Sequence, residues 1–146
     1  MKDIGVGQLK GCMERYMEHK HCLNCNKILK PSRNSTGKYC NNKCQKEYQH
    51  KQYIQKWKKG EVNGRSGKYG ISNHIIRYML EKYDYKCEQC GWGKINVATG
   101  HSPLEIHHID GDYTNNKESN LKVLCPNCHS LTPNYKALNK QGRIGR

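Results

Sequence analysis

Four closely spaced pairs of cysteines constrain the fold of this chain more than any other feature. The chain has 146 residues and nine cysteines, and eight of the nine fall into pairs separated by only two or three residues. Only 34% of the residues are apolar and there is no Phe. A chain of this composition cannot form a large dry core, so the cysteine pairs are the expected means of stabilising its fold.

The spacing of the pairs favours bound metal over disulfides. A Cys-x2-Cys pair can place two thiolates on one tetrahedral Zn²⁺. The first residues, MKDIGVGQLKGCMERY, contain no apolar run typical of a secretory signal. We therefore expect a cytoplasmic, reducing location, where disulfides are disfavoured. Two structural Zn²⁺ sites are predicted, one at Cys22, Cys25, Cys40 and Cys44 and the other at Cys87, Cys90, Cys125 and Cys128. The ninth cysteine, Cys12, is expected to be a free thiol.

A glycine-rich stretch separates the two cysteine sets and predicts the domain organisation. Residues 59–70 read KGEVNGRSGKYG and contain four glycines, which is typical of a linker. The sequence predicts a zinc finger with a basic helix over residues 1–58, a linker over 59–71 and a second domain over 72–146. Interleaved pairing of the cysteine sets is an alternative, but the linker favours sequential pairing.

The charge of the chain points to a polyanionic partner. Lys and Arg total 26 against 12 Asp and Glu, which gives a net charge of +14. An excess of this size is typical of nucleic-acid-binding proteins, although it also serves solubility. No stretch reaches transmembrane length, so a membrane span is not expected.

The chain pattern predicts three helices and two short strands. A helix from about Asn42 to Lys58, NKCQKEYQHKQYIQKWK, is polar nearly all round, so it either spans solvent or lies on something charged. Ser72 is predicted to cap a helix that begins SNHIIRYMLEKY. Strands are predicted over 104–109 and 121–124. Cys125 is predicted to cap a helix whose first residue is Pro126.

Two adjacent histidines lie near the end of the first predicted strand. Neighbouring strand residues point to opposite sides, so His107 and His108 are expected to do different jobs. His129 directly follows Cys128, and the second zinc site would fix its position. One of the adjacent histidines can therefore bind a metal together with His129, while the other flanks what that metal holds.

These residues resemble a known family. The combination LEIHHIDGD, SNLKVLCPNCH and the preceding YKCEQCG is similar to the HNH endonucleases. The resemblance covers roughly residues 72–139. It implies a small α+β, zinc-stabilised fold, namely a ββα-metal (His-Me finger) HNH domain preceded here by a four-cysteine zinc finger and a basic helix.

The resemblance implies a role for each of four residues. His107 and His129 would ligate the catalytic divalent metal, and His108 would be the general base that takes a proton from water. Asn120 would hydrogen-bond across the loop and hold the base histidine, although Asn115 and Asn116 compete for that role. The metal is expected to be Mg²⁺, with Mn²⁺, Ni²⁺ or Zn²⁺ as alternatives because imidazole suits the later metals better.

Two functions from different classes follow. The first is a DNA endonuclease acting on double-stranded DNA, encoded by a phage or mobile element and working in the bacterial cytoplasm. The alternative is a non-catalytic zinc-binding regulator that recognises nucleic acid. The presence of all four site residues favours the nuclease. The sequence leaves open the target site, nicking against double-strand cleavage, monomer against dimer, and a role in homing, phage DNA processing or restriction.

Overall fold

The computed structural model describes residues 20–30, 37–68 and 70–136. The chain divides into two compact units, Met1–Lys46 and Glu47–Arg146. Cys12 and the residues after Lys136 lie outside the described residues. None of the described helices is long and apolar enough to cross a membrane.

The first unit is built around a short cysteine turn. His21 and Ile28 pair across it as an isolated antiparallel bridge, and Asn26, with a φ of 58°, donates its backbone N–H to the carbonyl of Cys22. Asn is one of the few non-glycine residues that tolerate this left-handed conformation. The turn therefore brings the first cysteine pair into one small hairpin.

Helix α1 (Asn42–Lys58) begins beside the second cysteine pair and ends in the core of the second unit. The side chain of Asn41 accepts a hydrogen bond from the backbone N–H of Cys44 at 2.9 Å, which is the N-cap geometry that stabilises a helix start. Its buried residues are His50, Ile54 and Trp57. Their spacing places them on one helical face, so this mostly polar helix still has a narrow packing stripe.

Helix α2 (Asn73–Lys82) supplies the facing surface. As predicted, Ser72 caps it by accepting a hydrogen bond from the backbone N–H of His74. Ile75 and Met79 are fully buried. They lie about one helical turn apart, so both face the same side of the helix. The main core cluster consists of Ile54, Trp57, Ile75, Met79, Leu121 and Val123.

A small hairpin lies between these helices along the chain. Strands β1 (Arg65–Ser66) and β2 (Gly70–Ile71) pair antiparallel. Gly64, which precedes β1, has a φ of +74°, and a Cβ added there would lie 2.5 Å from the Cδ1 atom of Ile75. Only glycine fits this position, so the stretch that composition describes as a glycine-rich linker packs closely against α2.

The second sheet carries the two adjacent histidines. Strands β3 (Glu105–His108) and β4 (Leu121–Leu124) pair antiparallel, with Glu105 opposite Leu124 and His108 opposite Leu121. Helix α3 (Pro126–Ser130) follows at once, with Cys125 at its N-cap and Pro126 at its first position. The predicted small α+β fold with a ββα unit is confirmed, as are the predicted positions of these helices and strands.

Candidate active site and metal centres

The eight paired cysteines form two clusters. In each cluster the four sulfur atoms all lie within 4.8 Å of one another, and the members are Cys22, Cys25, Cys40 and Cys44 in the first and Cys87, Cys90, Cys125 and Cys128 in the second. The sequential pairing predicted from the linker is confirmed. All eight are free thiols, with no disulfide among the described cysteines.

The sulfur geometry fits a tetrahedral metal site. The Sγ atoms of Cys25 and Cys40 are 3.4 Å apart, and those of Cys90 and Cys125 are 3.7 Å apart. A Zn–S bond of about 2.3 Å in a tetrahedron places sulfurs about 3.8 Å apart. Each set could therefore hold one zinc-sized cation with four sulfur ligands.

The pKa shifts of the clustered thiols also favour a bound cation. Burial opposes ionisation of the Cys87 thiol, yet backbone hydrogen bonds from Cys125 and Cys90 lower its pKa to about 6. Hydrogen bonding to Cys90, followed by burial, raises the pKa of Cys128 to about 12. Four thiols this close cannot all ionise by themselves, whereas a bound divalent cation would deprotonate them all.

The second cluster fixes α3 against the β3–β4 sheet. Glu88, within its first cysteine pair, donates its backbone N–H to the carbonyl of Val123 at 2.9 Å and accepts the backbone N–H of Val123 at 2.6 Å. Cys125 ends β4 and caps α3. The position of His129, one residue beyond the last cysteine, therefore depends on this cluster.

His107 and His129 come together as expected for a shared metal. Their ring centroids are 5.1 Å apart, with ring planes at 63°. Burial lowers the pKa of His107, and the nearby charges of His129 and His108 lower it further. A neutral imidazole keeps the lone pair that a metal ligand needs.

Glu105 is a site residue that the sequence reasoning missed. Its carboxylate contacts the Nδ1 atom of His129. Metal-ligating histidines usually donate their second ring N–H to a carboxylate, which fixes the tautomer and leaves the other nitrogen for the metal. The two-residue repeat of a strand was the available signal, since it places Glu105 on the same face as His107.

His108 points away from this pair. Its Nε2 atom lies 2.9 Å from the side-chain oxygen of Asn116, and its backbone carbonyl accepts a hydrogen bond from the side chain of Asn134 at 3.1 Å. The alternation predicted from the strand thus separates the two adjacent histidines.

Asn120 organises the loop between the strands. Its side-chain oxygen accepts the backbone N–H of Asp110 at 3.1 Å, and its side-chain NH₂ donates to Asp110 Oδ1 at 2.9 Å and to the carbonyl of Asn115 at 2.8 Å. The structure places Asn120 across the loop, while the side-chain oxygen that faces the His108 ring belongs to Asn116. The catalytic roles of His107, His108, Asn120 and His129 stay predictions.

A groove lies next to Asn116, the hydrogen-bond partner of His108. It has a volume of about 670 Å³, and Asn116 forms part of its wall. Three lysines line it, namely Lys58, Lys59 and Lys117. Glu118 also lines the groove, and the three lysines leave it with a net positive charge that suits a phosphate backbone.

A strand pair followed by a helix and closed by a four-cysteine cluster is a zinc-stabilised type of ββα domain. Residues 87–133 match the sequence model of the family described as HNH endonuclease. This part of the chain is therefore similar to the HNH endonucleases over the matched residues, and the resemblance seen in the sequence is confirmed. The matched residues include the second cysteine cluster and all four predicted catalytic residues.

Two curated relatives are similar to part of this chain. The chain is 41% identical over 81 residues to the H-N-H endonuclease F-TflIV of Escherichia phage T5, which covers 53% of this chain and 31% of the relative. It is 33% identical over 64 residues to the Zorya protein ZorE of Escherichia coli strain ATCC 8739, which covers 44% of this chain and 17% of that relative. The chain thus spans less than a third of the length of either relative. No solved structure matches it significantly.

Proposed function

We propose that the protein is a metal-dependent DNA endonuclease that hydrolyses phosphodiester bonds. One observation carries the proposal: His107 and His129 meet on one side of β3, while His108 faces the other side within a matched HNH domain. Metal ligands and a separate imidazole base are the two components that this hydrolysis requires.

In the proposed reaction, His107 and His129 hold a divalent cation, either Mg²⁺ or another such as Mn²⁺ or Ni²⁺. When bound, that cation neutralises charge on the scissile phosphate and assists the departing 3′-oxygen. Glu105 orients His129 through its contact with Nδ1. His108 accepts a proton from the attacking water. The oxygen of that water bonds to phosphorus while the bond from phosphorus to the 3′-oxygen breaks. Asn120 keeps the loop beside His108 in place through its bonds to Asp110 and Asn115.

We assign structural Zn²⁺ to both cysteine clusters, because four sulfur ligands leave no position open for a substrate. The first cluster and the basic residues of α1 form the proposed DNA-docking module, with the domain division 1–58, 59–71 and 72–146. Double-stranded DNA is the proposed substrate. The phage relative supports a phage or mobile-element origin and action in the bacterial cytoplasm.

Cleavage of supercoiled plasmid tests this proposal. The zinc-loaded protein is incubated with plasmid and Mg²⁺, Mn²⁺ or Ni²⁺, and nicked and linear products are measured. We expect His108→Ala to lower the rate by about 100- to 10,000-fold, the range in which a general base contributes. His101→Ala is the matched control, because His101 is exposed and lies outside the site.

Equal cleavage by the parent and His108→Ala would contradict the proposed base. Binding of DNA without cleavage under every metal would instead support a non-catalytic regulator. One proposed site per chain favours nicked circles as the first product, whereas paired cutting by a dimer would give linear DNA directly.

A further inference from the structure

Asn116 is a buried loop residue whose polar groups are all engaged. It is only 3% exposed. Its side-chain oxygen faces the His108 ring at 2.9 Å, its side-chain NH₂ donates to the carbonyl of Asn63 at 3.3 Å, and its backbone carbonyl accepts the indole N–H of Trp57 at 2.7 Å. A residue needed only for a turn would bond its amide to nearby backbone, whereas the side chain of Asn116 bonds to residues distant in sequence.

The bond to Asn63 determines which way the Asn116 amide points. Because a backbone carbonyl can only accept, the NH₂ group must face Asn63 and the oxygen must face His108. The Nε2 atom of His108 must then donate. In a neutral imidazole the other nitrogen, Nδ1, keeps the lone pair, and so it is the atom available to take a proton from water.

The packing around Asn116 prevents it from moving. Trp57 is 6% exposed and belongs to the main core cluster. A Cβ added at Gly64 would lie 3.1 Å from the Cβ of Asn116 and 3.2 Å from the indole nitrogen of Trp57. Helix α1 and the turn before β1 therefore both pack against Asn116.

We propose that Asn116, held by Trp57 and Asn63, is the positioning residue that selects the His108 tautomer with the proton on Nε2 and the lone pair on Nδ1. This inference rests on the proposed function only for its catalytic consequence. Asn120 cannot substitute for it, because its own amide is bonded to Asp110 and Asn115.

The tautomer is measured directly by two-dimensional ¹H–¹⁵N NMR of the histidine rings. The zinc-loaded full chain is studied without added catalytic metal at about pH 8, where an ordinary imidazole is neutral. We expect His108 in the parent to show a protonated Nε2 and an unprotonated Nδ1. In Asn116→Leu, which keeps the branched shape of the side chain and removes both the acceptor and the donor, the ring should give averaged nitrogen shifts from both tautomers.

Kinetics then test the catalytic consequence. Asn116→Leu should lower kcat by about 10- to 100-fold, the loss typical of outer-sphere partners, with KM nearly unchanged. Asn116→Asp keeps an acceptor facing the ring and should recover most of that loss. Asn73→Leu, the same substitution at an exposed residue of α2, should change neither quantity. Trp57→Phe keeps an aromatic ring in the core while removing the indole N–H and part of the ring volume, and it should lower kcat in the same direction if Asn116→Leu fails to fold.

The two proposals fail in different ways. A parent His108 with its proton on Nδ1, or an Asn116→Leu variant with the parent tautomer and kcat, would overturn the positioning role. If the parent protein shows the expected tautomer and cuts no DNA, the nuclease proposal is contradicted. The assignment of the His108 tautomer then still stands.

Discussion

At the scale of single residues, the sequence predicted which candidate metal ligands lie together better than it predicted the residues that contact them. The adjacent histidines and His129 are visible because strand alternation and the neighbouring cysteine constrain where they lie. Asn116 was seen only as a competitor of Asn120, because Asn is common in loops for turn reasons. Its contact with His108 depends on Trp57 and Asn63, which lie more than fifty residues earlier, and no local pattern encodes such a contact.

The contact of Glu105 with His129 leads to a prediction at this scale. Glu105→Gln keeps a hydrogen-bonding oxygen but removes the negative charge that would make the His129 imidazole a stronger ligand in the proposed metal site. We expect the affinity for Mn²⁺, taken from the metal dependence of cleavage, to fall about 10-fold or more.

Glu61→Gln provides the control, because Glu61 is exposed. If both variants needed the same Mn²⁺ concentration as the parent for half-maximal cleavage, Glu105 would have no part in the metal site.

At the scale of secondary-structure elements, helix α1 was predicted at Asn42–Lys58 and confirmed there, but its packing was not predictable. Its few apolar residues gave little indication of a buried face. The structure adds polar contacts that no periodicity analysis counts: His50 Nδ1 lies 3.1 Å from His74 Nδ1, and Arg77 pairs with Glu47 at 2.8 Å. Likewise, glycine-rich composition fits both a free linker and a tight hairpin such as β1–β2, and only the contact of Gly64 with Ile75 distinguishes them.

The His50–His74 contact makes the docking of α1 on α2 sensitive to pH. Burial lowers the pKa of His50, with further lowering by Arg77 and His74 that outweighs the opposite effect of Glu81 and Glu47. The folded state therefore binds this proton less readily than the unfolded chain does. The contribution of neutral His50 to stability is complete at pH values above about 6.5, the pKa of a histidine in the unfolded chain. It falls as the pH drops below that value.

Urea unfolding of the zinc-loaded protein at about pH 7.5 and pH 5.5, on either side of that pKa, measures the effect. His50→Gln should lose less free energy of unfolding between the two pH values than the parent does. His101→Gln should lose as much as the parent, because His101 is exposed. A parent and a His50→Gln variant with the same pH dependence would exclude His50 as its source.

At the scale of the whole molecule, the sequence predicted two metal clusters and a polyanionic partner, because both follow from composition and spacing alone. Residues 1–66 carry 15 of the 26 Lys and Arg and only 5 of the 12 Asp and Glu. Charge cannot show where nucleic acid lies, because that depends on which lysines meet in space. The groove of Lys58, Lys59 and Lys117 combines residues from two distant segments.

The two cysteine clusters should have separable effects, since each belongs to a different compact unit. Cys128→Ser breaks the cluster that fixes α3, so His129 should lose its position beside His107. Cys25→Ser breaks the first cluster, which we propose contributes to DNA docking. Each variant should bind one zinc fewer than the parent by metal analysis.

Steady-state cleavage distinguishes the two losses. Cys128→Ser should lower kcat by on the order of 100-fold, because the displaced ligand weakens the catalytic metal. Cys25→Ser should mainly raise KM, with the difference from the parent increasing at higher salt as phosphate contacts weaken. If Cys128→Ser lost its zinc and kept the parent kcat, the second cluster would not position His129. The apolar contacts of Leu124 with Cys87 and Cys125 would then hold α3 by themselves.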